Sequence, residues 1–288
     1  MSPRSILAVT DFSTLGGHAL DRAALLAAEH GAVLQQRRPT PTLEELLPAV
    51  AAADLVVWGT ARERSLRSFF LGQPVEELLR KARRPVLLVR RAAPHPYRRL
   101  LMAVDFSQAS LALVDLGCSI SKTAPVELFH AVNTINERKL RQADVSDHAI
   151  RAYREQCLRY AQDRMVRLAD SYGASRNRVQ SLIGRGDPSL QTLVQQQRSA
   201  ADLIVVGKHP SSAFVDLMFP SVSSRIVSLS DRDTARTDVL IVPHDWQPAP
   251  GAPAVSRLAA EPTGARRVRA GPPDAPAGPN PAALHAGA

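Results

Sequence analysis

Two aspartates stand in one short context at distant points of the chain: Asp11 in Val9-Thr-Asp-Phe-Ser13 and Asp105 in Val104-Asp-Phe-Ser107. Each follows an apolar run of strand length, which places its carboxylate at a strand end. There a carboxylate can contact a ligand, serve as an acid or base, or bond the backbone N–H groups of the following turn. Two glycines recur in the same way, Gly59 after Leu55-Val-Val-Trp58 and Gly207 after Leu203-Ile-Val-Val206. Glycine at such a point lets a backbone approach a ligand closely. Beyond them stand Arg62, Gly72, Lys208 and Ser221, cationic, small and hydroxyl residues suited to an anion. No catalytic constellation accompanies them. The eight histidines are scattered, and none shares a local cluster with cysteine or carboxylates at the spacing of a metal site. His130, near a strand end, reads as a satisfied, partly buried residue. The expectation is a chain without catalytic residues or a metal.

These residues belong to a sequence that states its pattern twice. Ser5-Ile-Leu-Ala-Val-Thr-Asp-Phe-Ser13 returns as Arg99-Leu-Leu-Met-Ala-Val-Asp-Phe-Ser107. Ala53-Asp-Leu-Val-Val-Trp-Gly59 returns as Ala201-Asp-Leu-Ile-Val-Val-Gly207, and Pro85-Val-Leu-Leu-Val89 as Asp238-Val-Leu-Ile-Val242. Matches in the same order over this length mean two copies of a domain. A solenoid would repeat every ~20–50 residues. The second copy is much longer between its first strand and its glycine.

Short apolar runs alternating with helical stretches argue for parallel sheets covered by helices on both faces. In the first copy, residues 1–95, the strands are Ile6–Thr10, Ala32–Leu34, Leu55–Trp58 and Val86–Val89. The helices are Leu20–Ala28, one opened by the capping box Thr42-x-x-Glu45 and running to Ala52, and Val75–Ala82. In the second, residues 97–246, Leu100–Val104, Val126–Val132, Leu203–Val206 and Val239–Val242 are strands. Helices span Leu111–Ser119, Asp147–Tyr172 and the region of Val222–Leu229. The long helix carries an apolar stripe of Leu158, Ala161, Met165, Leu168 and Tyr172. Asp187-Pro188 opens another helix, with aspartate as N-cap and proline at the first helical position. Residues 247–288 hold nine of the chain's 22 prolines. With few large apolar residues, this tail is expected to be disordered.

Composition sets outer bounds. The net charge of +9 leaves nucleic acid, anionic ligands and anionic membrane surfaces open, but the arginines are spread and aromatics make up only 5%. That argues against a base-stacking surface, and nucleic acid is disfavoured. No apolar run reaches the ~18–20 residues that span a bilayer. The chain enters strand-like sequence directly and has two cysteines, Cys118 and Cys157. A cytoplasmic protein without a signal peptide is expected.

Over about residues 1–246 the chain resembles the universal stress protein family in its tandem two-domain form. The strand-end aspartate motifs carry the resemblance, with Gly186-Asp-Pro-Ser189 and the segment from Asp54 through Leu71-Gly-Gln-Pro-Val-Glu-Glu-Leu-Leu to Val89. It implies an adenine nucleotide alpha hydrolase-like fold. In many members a Gly-x2-Gly-x9-Gly-Ser/Thr loop holds the phosphates of ATP, and the strand-end aspartate meets the adenine side. Asp11 and Asp105 keep the aspartate. The first loop keeps Gly59 and Gly72 but has Arg62 and Gln73 at the other two positions. The second keeps Gly207 and Ser221 but has Pro210 and Pro220. Proline removes a backbone donor and fixes φ where a phosphate cradle needs both. Arg62, Arg64 and Arg67, or Lys208 and His209, could hold an anion by side chains instead.

The expected fold class is α/β: two tandem doubly wound parallel-sheet domains, the first shortened, with a disordered tail. The expected role is a non-enzymatic stress-response binding or regulatory module with weakened nucleotide sites. One alternative is an ATP-binding protein with slow hydrolysis or nucleotide-gated signalling, and another a basic adaptor for anionic lipid or nucleic acid. No cofactor is required, and ATP stays open. A nucleotide or a small hydrophobic ligand, an intramolecular pseudo-dimer and a homodimer complete the expected partners. Two five-stranded units should meet through Val86–Val89 and Val239–Val242, covering two apolar edges. The first copy, having only the helix ending at Ala52 where the second has its long helix, should leave part of its sheet face less covered, an apolar binding surface unless the second copy's long helix or a second chain fills the gap.

Overall fold

The computed structural model describes residues 2–11, 13–40, 43–59, 74–171, 178–209, 222–230 and 237–246. The first half supplies β1 (Ser5–Thr10), α1 (Thr14–His30), β2 (Val33–Arg37), α2 (Leu47–Ala52), β3 (Leu55–Gly59), α3 (Pro74–Ala82) and β4 (Val86–Leu88). The second supplies β5 (Leu100–Ala103), α4 (Ala109–Ile120), β6 (Val126–Val132), α5 (Ile135–Gln142), α6 (Asp147–Asp170) and β7 (Val179–Arg185). It continues with α7 (Pro188–Ser199), β8 (Leu203–Lys208), α8 (Val222–Ser230) and β9 (Asp238–Pro243).

Among the described residues the strands form one nine-stranded sheet in the order β2-β1-β3-β4-β9-β8-β5-β6-β7. Every neighbouring pair is parallel except β4 and β9. There Val86 faces Ile241, Leu87 faces Leu240 and Leu88 faces Val239. The two apolar final strands therefore cover each other, as their sequence demanded. Each half winds outward from this seam alike, but the first half has four described strands rather than the expected five.

Successive residues of a strand point to opposite faces, and the core divides accordingly. Ile6 and Ala8 join Ala23 and Leu26 of α1, Leu113 and Val114 of α4, and Met165 and Leu168 of α6. Leu7 and Val9 join Val50 of α2, Leu78 and Leu79 of α3, and Ile226 and Val227 of α8. Both apolar layers run without a break across the seam. The long helix α6 and the short helix α2 thus lie on opposite faces, so α2 is not the counterpart of α6. Among the described residues the first half has no counterpart of α6 or of the strand that follows it.

The under-covered apolar face does not follow from that loss. The outermost strand, β2, carries Gln35, Gln36 and Arg37, and in the first half the large exposed apolar side chain among the described residues is Val33. Gln36 donates from Nε2 to Thr10 Oγ1 at 3.0 Å. A polar edge strand needs no cover. The strand is also longer than its apolar residues suggested, because Gln35–Arg37 continue it.

Two further elements lie beyond the sequence reading, α5 and β7. Some boundaries also move. The helix ending at Ala52 begins at Leu47, with Pro48 in its first turn, after a 3-10 turn at Leu43–Glu45. Thr42 of the expected capping box lies outside the described residues, as do Tyr172 and the expected tail from residue 247. At α7 the N-cap expectation holds: Asp187 Oδ1 accepts from Leu190 N at 3.1 Å.

A buried polar knot fixes the linker between the halves. Asp238, at the start of β9, accepts from Tyr97 Oη at 2.7 Å and from Arg90 N at 2.8 Å. Arg22 of α1 lies 3.5 Å from the same carboxylate, sits over the Tyr97 ring, and donates to His95 O at 2.9 Å. Burial pushes the Asp238 carboxyl upward against those hydrogen bonds.

Candidate functional site at the strand ends

Parallel strands in one half all end at the same sheet edge, so the residues after β1 and β3 gather at one edge and those after β5, β8 and β9 at the opposite one, because the halves run antiparallel across β4 and β9. Asp11 follows β1. Its Oδ1 accepts from Ser13 N at 3.0 Å and from Ser13 Oγ, while Ser13 Oγ accepts from Gly16 N at 3.1 Å. The serine is the N-cap of α1, so Asp11 holds the strand-to-helix turn.

Asp105 follows β5 in the same motif but has a different neighbourhood. Oδ1 accepts from Ser107 N and from Ser110 Oγ, both at 2.9 Å. Oδ2 faces two imidazoles: Nε2 of His209 at 2.9 Å and Nε2 of His244 at 3.6 Å. The two rings lie against each other with centroids 3.5 Å apart. Burial opposes ionisation of Asp105, but the bonds from Ser107 and Ser110 and the nearby His244 charge outweigh it, bringing its pKa to about 2. Burial and the charge of His209 push His244 below the usual histidine range. The pair thus combines an ionised carboxylate with an imidazole held toward its neutral form.

Sequence distance hid this cluster. His209 follows β8 and His244 follows β9, and the two strands are parallel with Gly207 opposite Val242 and Lys208 opposite Pro243. One step further in that register puts His209 opposite His244. Backbone ties the two ends together, since His244 N donates to Lys208 O at 2.9 Å. The expectation that no histidine shares a cluster with a carboxylate is therefore corrected: sheet register does what local spacing does not. Adopting the parallel β8–β9 pairing and reading one residue past each strand would have found it.

Both glycines have a packing role here. A Cβ on Gly207 would stand 2.5 Å from His244 Nε2. A Cβ on Gly59 would stand 2.5 Å from the Ala19 methyl and 2.6 Å from Leu15 O of α1. Glycine at 207 makes room for the histidine, and glycine at 59 lets the helix approach the strand. Lys208 is buried within β8. Arg62, Gly72 and Ser221 lie outside the described residues, as do Arg64, Arg67, Gln73, Pro210 and Pro220. His130 meets its expectation: Nδ1 donates to Val104 O at 2.8 Å, and its ring packs on Phe106 with centroids 4.2 Å apart.

A model of the Universal stress protein family matches residues 96–243, half of the chain. The chain belongs to the universal stress protein family. Solved structures agree on the fold. A universal stress protein from Archaeoglobus fulgidus superimposes with a TM-score of 0.55 at 15% identity, covering 84% of this chain and 97% of its own. A functionally unknown protein from Pseudomonas aeruginosa gives 0.53 at 19% identity, covering 84% and 92%. A comparison with curated proteins finds no match. Within this universal stress protein a strand-end aspartate stands in both halves, and among the described residues histidines flank Asp105. Among the described residues no helix is long and apolar enough to cross a membrane.

Proposed function

We propose that this chain is a tandem universal stress protein acting as a non-enzymatic binding or regulatory module of a cytoplasmic stress response, with weakened nucleotide sites. The tandem reading is supported by the repeated strand order on the two sides of the β4–β9 seam, which gives one chain an internal pseudo-dimer. The domains would be residues 1–95 and 97–246. The observation that carries the weakened sites is the surroundings of Asp105. The carboxylate that the resemblance assigns to adenine is occupied on one oxygen by Ser107 and Ser110 and flanked on the other by His209 and His244.

Gly207 adds to this reading, because the space above it is filled by His244. Losing one charge-assisted phosphate contact costs about 1.5–3 kcal/mol, and Pro210 and Pro220 each remove a backbone donor from the loop. Two such losses would weaken a micromolar site to about millimolar. Titration calorimetry of the full chain with Mg-ATP should therefore show no binding tighter than that range. A dissociation constant below about 10 μM would overturn the reading.

A further inference from the structure

We propose that Asp105, His209 and His244 form a binding site for one divalent transition-metal ion of the zinc class. The first argument is distance. Zinc lies ~2.0–2.2 Å from imidazole nitrogen and carboxylate oxygen, so tetrahedral ligand atoms are about 3.3 Å apart. Here the two Nε2 atoms lie 2.9 and 3.6 Å from Asp105 Oδ2, on either side of that figure, and all three ligand atoms lie within 4.8 Å of one another. Shifts of a few tenths of an ångström at the carboxylate would admit the ion.

The second argument is the donor set. Two imidazole nitrogens and one carboxylate oxygen suit zinc, cobalt, nickel or copper, whereas magnesium prefers oxygen alone. Three protein ligands leave a fourth position for water or an exogenous ligand.

The third is support. Asp105 is oriented by Ser107 and Ser110 through the oxygen that faces away from the histidines, the usual outer-shell arrangement around a metal-binding carboxylate. His244 is mostly buried, and its room is provided by Gly207. All three ligands follow strands held in one register, so the site rests on the sheet. The repeat places Ala61 and Arg91 where the second half has His209 and His244. The stoichiometry is therefore one ion per chain.

The test uses the full chain, untagged and stripped with a chelator. Zinc is added in competition with a chromophoric chelator, and cobalt separately as a visible probe. One equivalent of zinc should bind, magnesium should not displace it, and cobalt should give the intense visible bands of tetrahedral coordination. His209→Ala and His244→Ala should each lower zinc affinity by roughly 100-fold or more, since even outer-shell losses cost about 10–100-fold. His148→Ala, on the exposed face of α6, should leave it unchanged. His209→Gln and His244→Gln, with metal-free melting curves, separate loss of a ligand from loss of fold. Absence of stoichiometric zinc binding, a weak octahedral cobalt spectrum, or wild-type affinity in either histidine variant would overturn the site. Tight Mg-ATP binding would instead overturn only the weakened nucleotide sites, because the ion alone is the probe here.

Discussion

Asp11 and Asp105 leave equivalent strands in equivalent motifs, yet Asp11 turns Oδ1 back on Ser13 while Asp105 bonds Ser107 and Ser110 and presents Oδ2 to two histidines. The difference lies outside the motif, in the residues that follow β8 and β9. A second pair of aspartates shows the opposite outcome. Asp54 accepts from Arg4 N at 2.9 Å and Ser5 N at 3.1 Å, and Asp202 accepts from Arg98 N at 2.9 Å and Arg99 N at 3.0 Å. Each clamps the entry to the first strand of its half. The clamps match between the halves, while the surroundings of the strand-end aspartates do not.

The largest expected effect tests the most unequal position. Asp238 opens β9 where the first half has Pro85. Asp238→Ala should cost about 3–5 kcal/mol, because it leaves the buried Arg22 guanidinium without its countercharge. Pro85→Ala should cost only about 0.5–1 kcal/mol, through the greater freedom of the unfolded chain. Chemical denaturation of both variants measures the contrast, and similar losses would mean the knot contributes little.

The paired clamps come next. Asp54→Ala and Asp202→Ala should each cost about 1–3 kcal/mol, with Asp202 at the upper end because it is the more buried. A clamp whose removal left the melting temperature unchanged in one half would break the claim of a shared scaffold.

The smallest effect concerns a feature found only in the second half. Glu137 on α5 lies 2.7 Å from Arg185 of β7 and 3.0 Å from Arg154 of α6. Burial opposes its ionisation, but the bonds from Arg185 and Arg154 outweigh it and hold the carboxyl below its usual range. As pH falls, the unfolded chain takes up the proton first. The stabilisation is thus complete above the usual glutamate pKa and is lost as pH falls through the depressed folded value. Both arginines are partly exposed, so Glu137→Gln should cost only about 1–2 kcal/mol near neutral pH. Denaturation series in neutral and strongly acidic buffer should show the gap between variant and wild type closing in acid. A gap that stayed constant would remove the ion pair from the account.

What the sequence made legible follows from burial. β1, β3, β5, β8 and β9 are buried on both faces and therefore appear as unbroken apolar runs. β7 is an outer strand with Gln180 and Ser181 exposed, and Val179 and Ile183, which pack partly against the core, stand too far apart to form an apolar run. The end of β2 was obscured for the same reason. At the site, the aspartates were legible because they repeat, and the glycines because they punctuate strands. His209 and His244 were not, because only the pairing of two strands brings them together. Gly207 invited a phosphate reading, while its neighbour in space is an imidazole.

The antiparallel seam also orders events during synthesis. β4 leaves the ribosome early, whereas β9, which covers its edge, is the last described strand to be made. At about 5–20 residues per second, the roughly 150 residues between them take about 8–30 s to appear. For that interval Val86-Leu-Leu88 is an apolar strand edge with no partner of its own, open to pairing with another nascent chain. The same contact that makes the finished sheet continuous is thus the point at which a growing chain most needs the rest of itself to arrive.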